Sequence, residues 1–341
     1  MSNSNWSIEF MESNNVSLKI ASEVEKVLKF NGLTALIPII NSMSLCLKLP
    51  EQFKQLNSTL SISPKGQGKS TLLIHILAKS NPKYFVVLPK KMFESQLLEK
   101  PKDYFNHKIM IHDDIISALG GTNKKQREQL TGFFTQLLSD GNYSRENKEL
   151  KDITCLAHFG IAHESFEKHH KDLIDNTFLD RFATYSVNLN FKEKMEILEH
   201  RDQMVENDVK LPIIKLPLTK NKVEVKLILN EESKKRINQL AMELDTYNLM
   251  SSNRAKNYIT IFLLSNALLN NRKETNEYDL EMYEKLHKYH LNCIGNLSKK
   301  RQILALKQRF PDKNNEELIT ESGIPKSTFY RINKELQLNE T

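Results

Sequence analysis

The sequence predicts an α/β protein: a parallel sheet covered by helices on both faces, then an all-helical lid and a closing pair of helices. Three observations carry this expectation. Short apolar runs with strand character alternate with helical runs between residues 59 and 189, the pattern of a parallel sheet buried on both sides. The segment Ser63-Pro64-Lys65-Gly66-Gln67-Gly68-Lys69-Ser70-Thr71 lies between the first strand and the first helix of that series, where a phosphate-binding loop belongs. From Phe191 onward strand signals give way to helical periodicity.

Composition sets the outer bounds. A chain of 341 residues has room for two or three domains, and 39% hydrophobic with 27% charged residues is ordinary for a globular protein. A net charge of +7 and a pI near 9.0 favour a polyanionic partner. Cys46, Cys155 and Cys293 lie far apart, which argues against a zinc site or a disulfide framework and suits a reducing cytoplasm. The strongest apolar run, Leu33 to Ile40, contains Pro38 and falls well short of the ~18 residues a membrane span needs. The Ser/Asn-rich start lacks the order of a signal peptide. The expectation is a soluble cytoplasmic protein with no membrane partner.

The elements follow in order. Residues 1 to about 16 read as a tail, followed by helices over Val16–Phe30 and Thr34–Leu47, together the segment 1–50. The core, 51–190, carries strands at Thr59–Ile62, Tyr84–Leu88, Lys108–His112, Ile153–Ala157 and Thr184–Leu189. Segment 191–296 holds helices over Lys192–Asn207, Glu231–Tyr247, Asn253–Asn271 and Glu277–Tyr289. Leu211–Leu229, with Pro212 and Pro217, reads as an extended linker between them. A last helical block fills 297–341.

The phosphate loop fits G-x-x-x-x-G-K-[ST] except at its first position, where Ser63 stands for glycine. Gly66 and Gly68 let the backbone curl so that its N–H groups point at a polyphosphate. Lys69 adds a point charge for the β- and γ-phosphates, and the Ser70 hydroxyl suits Mg²⁺. ATP and Mg²⁺ are therefore the expected ligands. The complement is a strand ending in acid, Ile109-Met110-Ile111-His112-Asp113-Asp114. Asp113 can serve the Mg²⁺ shell and Asp114 can polarise an attacking water. The alternative is that the pair merely caps the next helix. The strand Ile153–Ala162 should bring a polar group beside the γ-phosphate. His163 is the candidate, with His158 as the alternative. The stretch from Ser139 to Lys151 has the turn chemistry of a hairpin, with Arg145, Lys148 and Lys151 as basic candidates for gripping DNA.

Ser63 to Ser70 resembles the G-P-P-G-T-G-K-[ST] loop of AAA+ ATPases. Asn176-Thr177-Phe178-Leu179-Asp180-Arg181-Phe182 resembles that family's L-x-x-R-F arginine-finger element, and Asn253-Arg254-Ala255-Lys256 its sensor-2 motif. Within the family, the run from Arg181 to Val205 and the series Leu229, Glu231, Arg254, Leu264, Ala267, Arg272, Asp279 are similar to the minichromosome-maintenance group. The resemblance spans roughly Glu51–Tyr289. It departs at Ser63, at Asp114 where most relatives have Glu, and in leaving no room upstream for that group's large N-terminal DNA-binding domain. It implies a three-layer αβα ATPase core, an all-α lid, Arg254 as a nucleotide contact, and Arg181 acting on ATP held by a neighbouring subunit. That last role implies a homo-oligomer, a hexameric ring included. Arginine suits it because its charge is permanent and its fork matches phosphate.

Near the end, Asn315 to Ile332 reads as helix, tight turn, helix, with Gly323 in the turn and Pro325 opening the second helix. Leu318, Ile319, Ile324, Phe329 and Ile332 should form a small core with Ile303, Leu304 and Phe310. The start of the second helix resembles the recognition helix of helix-turn-helix regulators. Lys326, Ser327, Thr328, Tyr330 and Arg331 would then face DNA. A helical hairpin docking another protein is the alternative. From Ser298 on there are nine Lys/Arg against six Asp/Glu, a modestly basic balance. Taken together, the sequence leads to an ATP-hydrolysing, DNA-acting replication initiator or helicase-type motor. Two rivals stand beside it: an ATP-gated DNA-binding regulator of transcription or transposition with slow turnover, and a helicase like those of viral superfamily three.

Overall fold

The computed structural model describes residues 15–29, 32–50, 53, 55–63, 68–120, 124–145, 148–163, 165–166, 177–186, 191–206, 210–246, 249–292, 303, 306–307, 310, 312–322 and 324–337. Two helices, α1 (Val16–Leu28) and α2 (Gly32–Ser42), precede the sheet. Strand β1 (Ser58–Ser63) leads into helix α3 (Thr71–Ala78), which is wound with i→i+5 hydrogen bonds. β2 (Phe85–Val87), α4 (Glu94–Leu98), β3 (Lys108–His112), α5 (Ile115–Gly120) and α6 (Lys124–Asp140) follow. A hairpin of β4 (Tyr143–Arg145) and β5 (Lys148–Leu150) comes before β6 (Cys155–Ala162) and β7 (Phe182–Ser186). Helices α7 (Phe191–Glu206), α8 (Glu231–Thr246), α9 (Ser252–Leu269) and α10 (Glu277–Leu291) come next, then α11 (Asn315–Ser322) and α12 (Lys326–Gln337).

Five strands form one parallel sheet in the order β2-β3-β6-β1-β7. Every residue of β1, β6 and β7 is buried, so both faces of the sheet centre are covered, as the apolar runs predicted. In sequence order the chain passes from β1 to β2 at one edge and from β6 to β7 beyond β1, so the strand order reverses between β6 and β1; the carboxyl ends at such a reversal are the usual ligand position in these sheets.

The last sheet strand begins two residues before the predicted Thr184, because a 3₁₀ turn at Leu179–Arg181 delivers Phe182 into the core. The predicted part beyond Ser186 lies outside the described residues.

The divisions expected near residues 50 and 191 do not interrupt the apolar core, which runs continuously from Ala21 in α1 through the sheet to Leu286 in α10. Helix α2 is buried at every position but the half-buried Leu33, which accounts for the apolar run around Pro38. A Cβ at Gly32 would meet the Ala21 carbonyl oxygen at 2.4 Å, so glycine is what lets α1 and α2 cross. The Leu211–Leu229 linker is extended but held fast. Asn81 donates to the Ile214 carbonyl (2.9 Å) and accepts the Leu216 N–H (2.9 Å). Ile214, Leu216 and Leu218 are buried. A separate small core gathers Ile303, Leu318, Ile324, Phe329 and Ile332, with Leu306, Phe310 and Ile319 packed on it. Leu304, expected there, lies outside the described residues.

Candidate functional site

β1 ends at Ser63, and the expected loop residues Pro64, Lys65, Gly66 and Gln67 lie outside the described residues. The chain returns at Gly68 with φ +80°, a left-handed conformation that glycine adopts without strain. Lys69 and Ser70 then open the helical segment that Thr71 continues. Lys69 folds back toward the strand it left: its Nζ donates to the Ser63 carbonyl (2.6 Å) and to Ser63 Oγ (2.9 Å). The departure from glycine thus supplies the lysine with an additional acceptor.

Across the inserted strand β6, Ser70 Oγ donates to Asp113 Oδ2 at 2.8 Å. Two residues 43 positions apart are brought together at the carboxyl end of the sheet. Two neighbouring oxygens in an octahedral Mg²⁺ shell of about 2.05 Å radius stand about 2.9 Å apart, so this spacing fits a shared shell. Asp114 completes the group. Its carboxylate accepts no hydrogen bond from the described residues, and Oδ1 is buried without a partner. The Asp114 carbonyl accepts from the Ser117 N–H (3.0 Å) and Oγ–H (2.7 Å), so the start of α5 is held by backbone and Ser117. The side-chain cap weighed as the alternative role for Asp114 is absent from these contacts. No group of three or more His, Cys, Asp or Glu gathers as a metal site among the described residues. A Mg²⁺ here would thus depend on Ser70, Asp113 and ligand oxygens, as that ion commonly does.

Two residues that the sequence reading passed over shape this end of the sheet. Gly160 of β6 lies under Asp113: a Cβ there would stand 2.2 Å from the Asp113 carbonyl oxygen and 2.9 Å from its carbonyl carbon. Glycine inside an otherwise apolar strand is the signal that could have marked this close approach. His112 is buried, and its Nδ1 accepts the Asp114 N–H at 3.1 Å. Burial pushes the imidazole's pKa down, against the opposing pull of Asp113.

The two sensor candidates separate clearly. Ala162 is the register partner of Ser63, so His163 follows at the carboxyl end of β6 beside the end of β1, and it is half-exposed. His158 is buried in mid-strand. Its Nε2 pairs with Ser42 Oγ (2.9 Å) and its Nδ1 with Thr59 Oγ1 (2.8 Å). Burial takes its pKa down to about 3, so this ring is a neutral core group.

Arg181 and Arg254 meet at the other end of the sheet. Phe182 is the register partner of Ser58, five residues before Ser63, so at ~3.3 Å per residue β7 begins about 17 Å along the sheet from the level of Ser63, with Arg181 just before it. Asp180 joins the two arginines: its Oδ2 lies 3.4 Å from Arg181 Nη1 and 3.0 Å from Arg254 Nε. Gln55 accepts from Arg254 Nη1 (3.0 Å) and donates to the Arg181 carbonyl (2.9 Å). A cavity of about 40 Å³ opens among Gln55, Ser58, Asp180, Arg181 and Arg254. Burial, with the Arg254 charge, lowers the Arg181 pKa. Arg254 thus sits with Asp180 and Gln55 at the amino-terminal end of β7. Sequence spacing could not reveal this, because Arg254 meets Asp180 across more than 70 residues of chain.

The expected hairpin forms, but its basic residues are engaged. Arg145 pairs with the buried Glu94, whose Oε1 also accepts from Tyr143 (2.7 Å). Lys148 lies 3.3 Å from Glu99, and Lys151 lies 2.6 Å from Glu149. In the C-terminal unit, Lys326, Ser327, Tyr330 and Arg331 are exposed and Thr328 is half-exposed, all on α12. Glu316 of α11 accepts from both Lys326 Nζ (2.7 Å) and Tyr330 Oη (2.9 Å). Gly323 and Cys293 lie outside the described residues. Cys46 and Cys155 are free, buried thiols. No helix among the described residues is long and apolar enough to cross a membrane.

No model of a known protein family matches the chain, and no curated protein matches it.

Proposed function

We propose that the protein binds Mg²⁺-ATP at Ser63–Thr71 and Asp113, hydrolyses it, and couples turnover to DNA as an AAA+ motor or replication initiator of the minichromosome-maintenance kind. The observation that carries this reading is the meeting of Ser70 with Asp113, with Lys69 alongside and the Asp114 carboxylate left without a partner. In this reading Lys69 leaves Ser63 for the phosphates, and Ser70 and Asp113 hold Mg²⁺. The ion supplies charge neutralisation of the phosphates when bound. Asp114 accepts a proton from the attacking water, and His163 orients that water.

Arg181 and Arg254 support an oligomer, because a cationic pair at the end of the sheet away from the loop serves a nucleotide only if a neighbouring subunit presents one. The α11–α12 unit is read as a DNA-binding helix-turn-helix, with Lys326, Ser327, Thr328, Tyr330 and Arg331 toward the duplex. A second reading, an ATP-gated DNA-binding regulator with slow turnover, is favoured by Asp114, whose carboxylate is one methylene shorter than a glutamate in the same role.

ATP hydrolysis measured with and without single- and double-stranded DNA, for wild type and Lys69→Ala, separates the two. DNA stimulation that Lys69→Ala abolishes supports the motor. ATP-dependent duplex binding with negligible turnover refutes it in favour of the regulator.

A further inference from the structure

We propose that His112 is a positioning residue for Asp114: its Nδ1 holds the Asp114 peptide so that the carboxylate stays turned into the site. The inference rests on the hydrolytic reading above and adds a residue to it. Nδ1 acts as an acceptor at 3.1 Å from the Asp114 nitrogen, which puts the ring proton on Nε2. Nε2 is buried and meets no hydrogen-bond partner among the described residues. The ring is 2% exposed, so the Asp114 N–H is its principal polar engagement.

The consequences for Asp114 follow from what each of its groups does. The N–H is held by His112 and the C=O by Ser117, which ties the backbone on both sides. The carboxylate alone is left over, with Oδ1 buried and unpaired. Leaving a buried carboxylate oxygen unsatisfied is costly, and an aspartate at a helix start ordinarily relieves that cost by turning onto the first N–H groups of the helix. Here the carboxylate is not turned that way, and the hold on the peptide fixes the Cα–Cβ direction from which it projects. A strand that ends in leucine or isoleucine before its acids offers no such acceptor, so the histidine compensates for the short reach of Asp114 by fixing its aim.

The test compares wild type, His112→Leu and His112→Asn in Mg²⁺-dependent ATP hydrolysis and in hydrogen exchange at the Asp114 amide. Asparagine keeps an acceptor at the δ position; leucine keeps the volume and removes it. His112→Leu should lower kcat on the order of 10- to 100-fold with KM within about threefold, since misaiming a reacting group by about 1 Å costs this much. Asp114 exchange should accelerate in the same variant. His112→Asn should restore both readouts to within about threefold of wild type. Wild-type kcat in His112→Leu overturns the proposal, as does a His112→Asn variant that fails in the same way as leucine. A wild type that binds ATP without turnover overturns the hydrolytic reading instead. Exchange protection lost in leucine and kept in asparagine would then leave the hydrogen bond in place with no reaction to serve.

Discussion

Replacing Gly160 by alanine tests whether the site depends on the close approach of β6 to Asp113. The added Cβ would lie 2.2 Å from the Asp113 carbonyl oxygen, where ordinary contact begins near 3.4 Å, and the obstructing atoms are backbone with no flexible end to swing away. Strand β6 or the Asp113 peptide must therefore move by about 1 Å. A displacement of that size away from Ser70 takes the 2.8 Å Ser70–Asp113 contact out of hydrogen-bond range. Overpacking of this kind costs about 1–3 kcal/mol, and misplacing a site group by about 1 Å costs on the order of 100-fold in rate. Gly132→Ala is the control. Nothing lies within 4 Å of its Cβ position in α6, so it should stabilise by about 0.5–1 kcal/mol through helix propensity. Thermal melts and Mg²⁺-dependent ATP turnover on both variants suffice. A Gly160→Ala protein with wild-type Tm and turnover refutes the reasoning.

Three further outcomes are expected. His158 and His290 are buried with pKa values near 3, against 6.5 when free, so the unfolded chain takes up protons that the folded one refuses. Their stabilisation is complete above about pH 6.5 and declines toward pH 3 by up to about 1.4 kcal/mol per pH unit for each ring; a urea midpoint unchanged from pH 7 to pH 5 would contradict this. Ser63→Ala removes one of the acceptors that hold Lys69, and at about 0.5–1.5 kcal/mol per hydrogen bond ATP should bind roughly two- to tenfold tighter by calorimetry; unchanged or weaker binding rejects that role. Phe329→Ala empties the centre of the small C-terminal core at a cost of about 3–5 kcal/mol, and should abolish duplex binding while ATP binding persists; retained duplex affinity places the DNA contacts elsewhere.

Much of this was legible in the chain because the relevant signals are local. Apolar runs marked the five sheet strands, Asp113 fell at the end of its strand, and Leu318, Ile324, Phe329 and Ile332 announced the C-terminal core through helical spacing and the Gly-Ile-Pro turn. Relations that exist only through space were hidden. Arg254 shares Asp180 with Arg181 because the lid docks on the β7 side, and no spacing rule predicts which end of a sheet a distant helix will reach. The Leu211–Leu229 segment read as a linker because its prolines and short apolar spacing have no period. What holds it is the Asn81 side chain, which mimics a strand neighbour for Ile214 and Leu216. His112 sat in plain view before the acids, but its part depends on ring geometry that composition does not carry.

If Ser63–Thr71 and Asp113 form one Mg²⁺-nucleotide site, calorimetric titration of ATP with and without Mg²⁺ will register it. Wild type should bind saturably and more strongly with Mg²⁺, binding should fall at least about 100-fold in Lys69→Ala, and its Mg²⁺ dependence should vanish in Asp113→Ala. Absence of binding in the wild type, or equal affinity in Lys69→Ala, would contradict it.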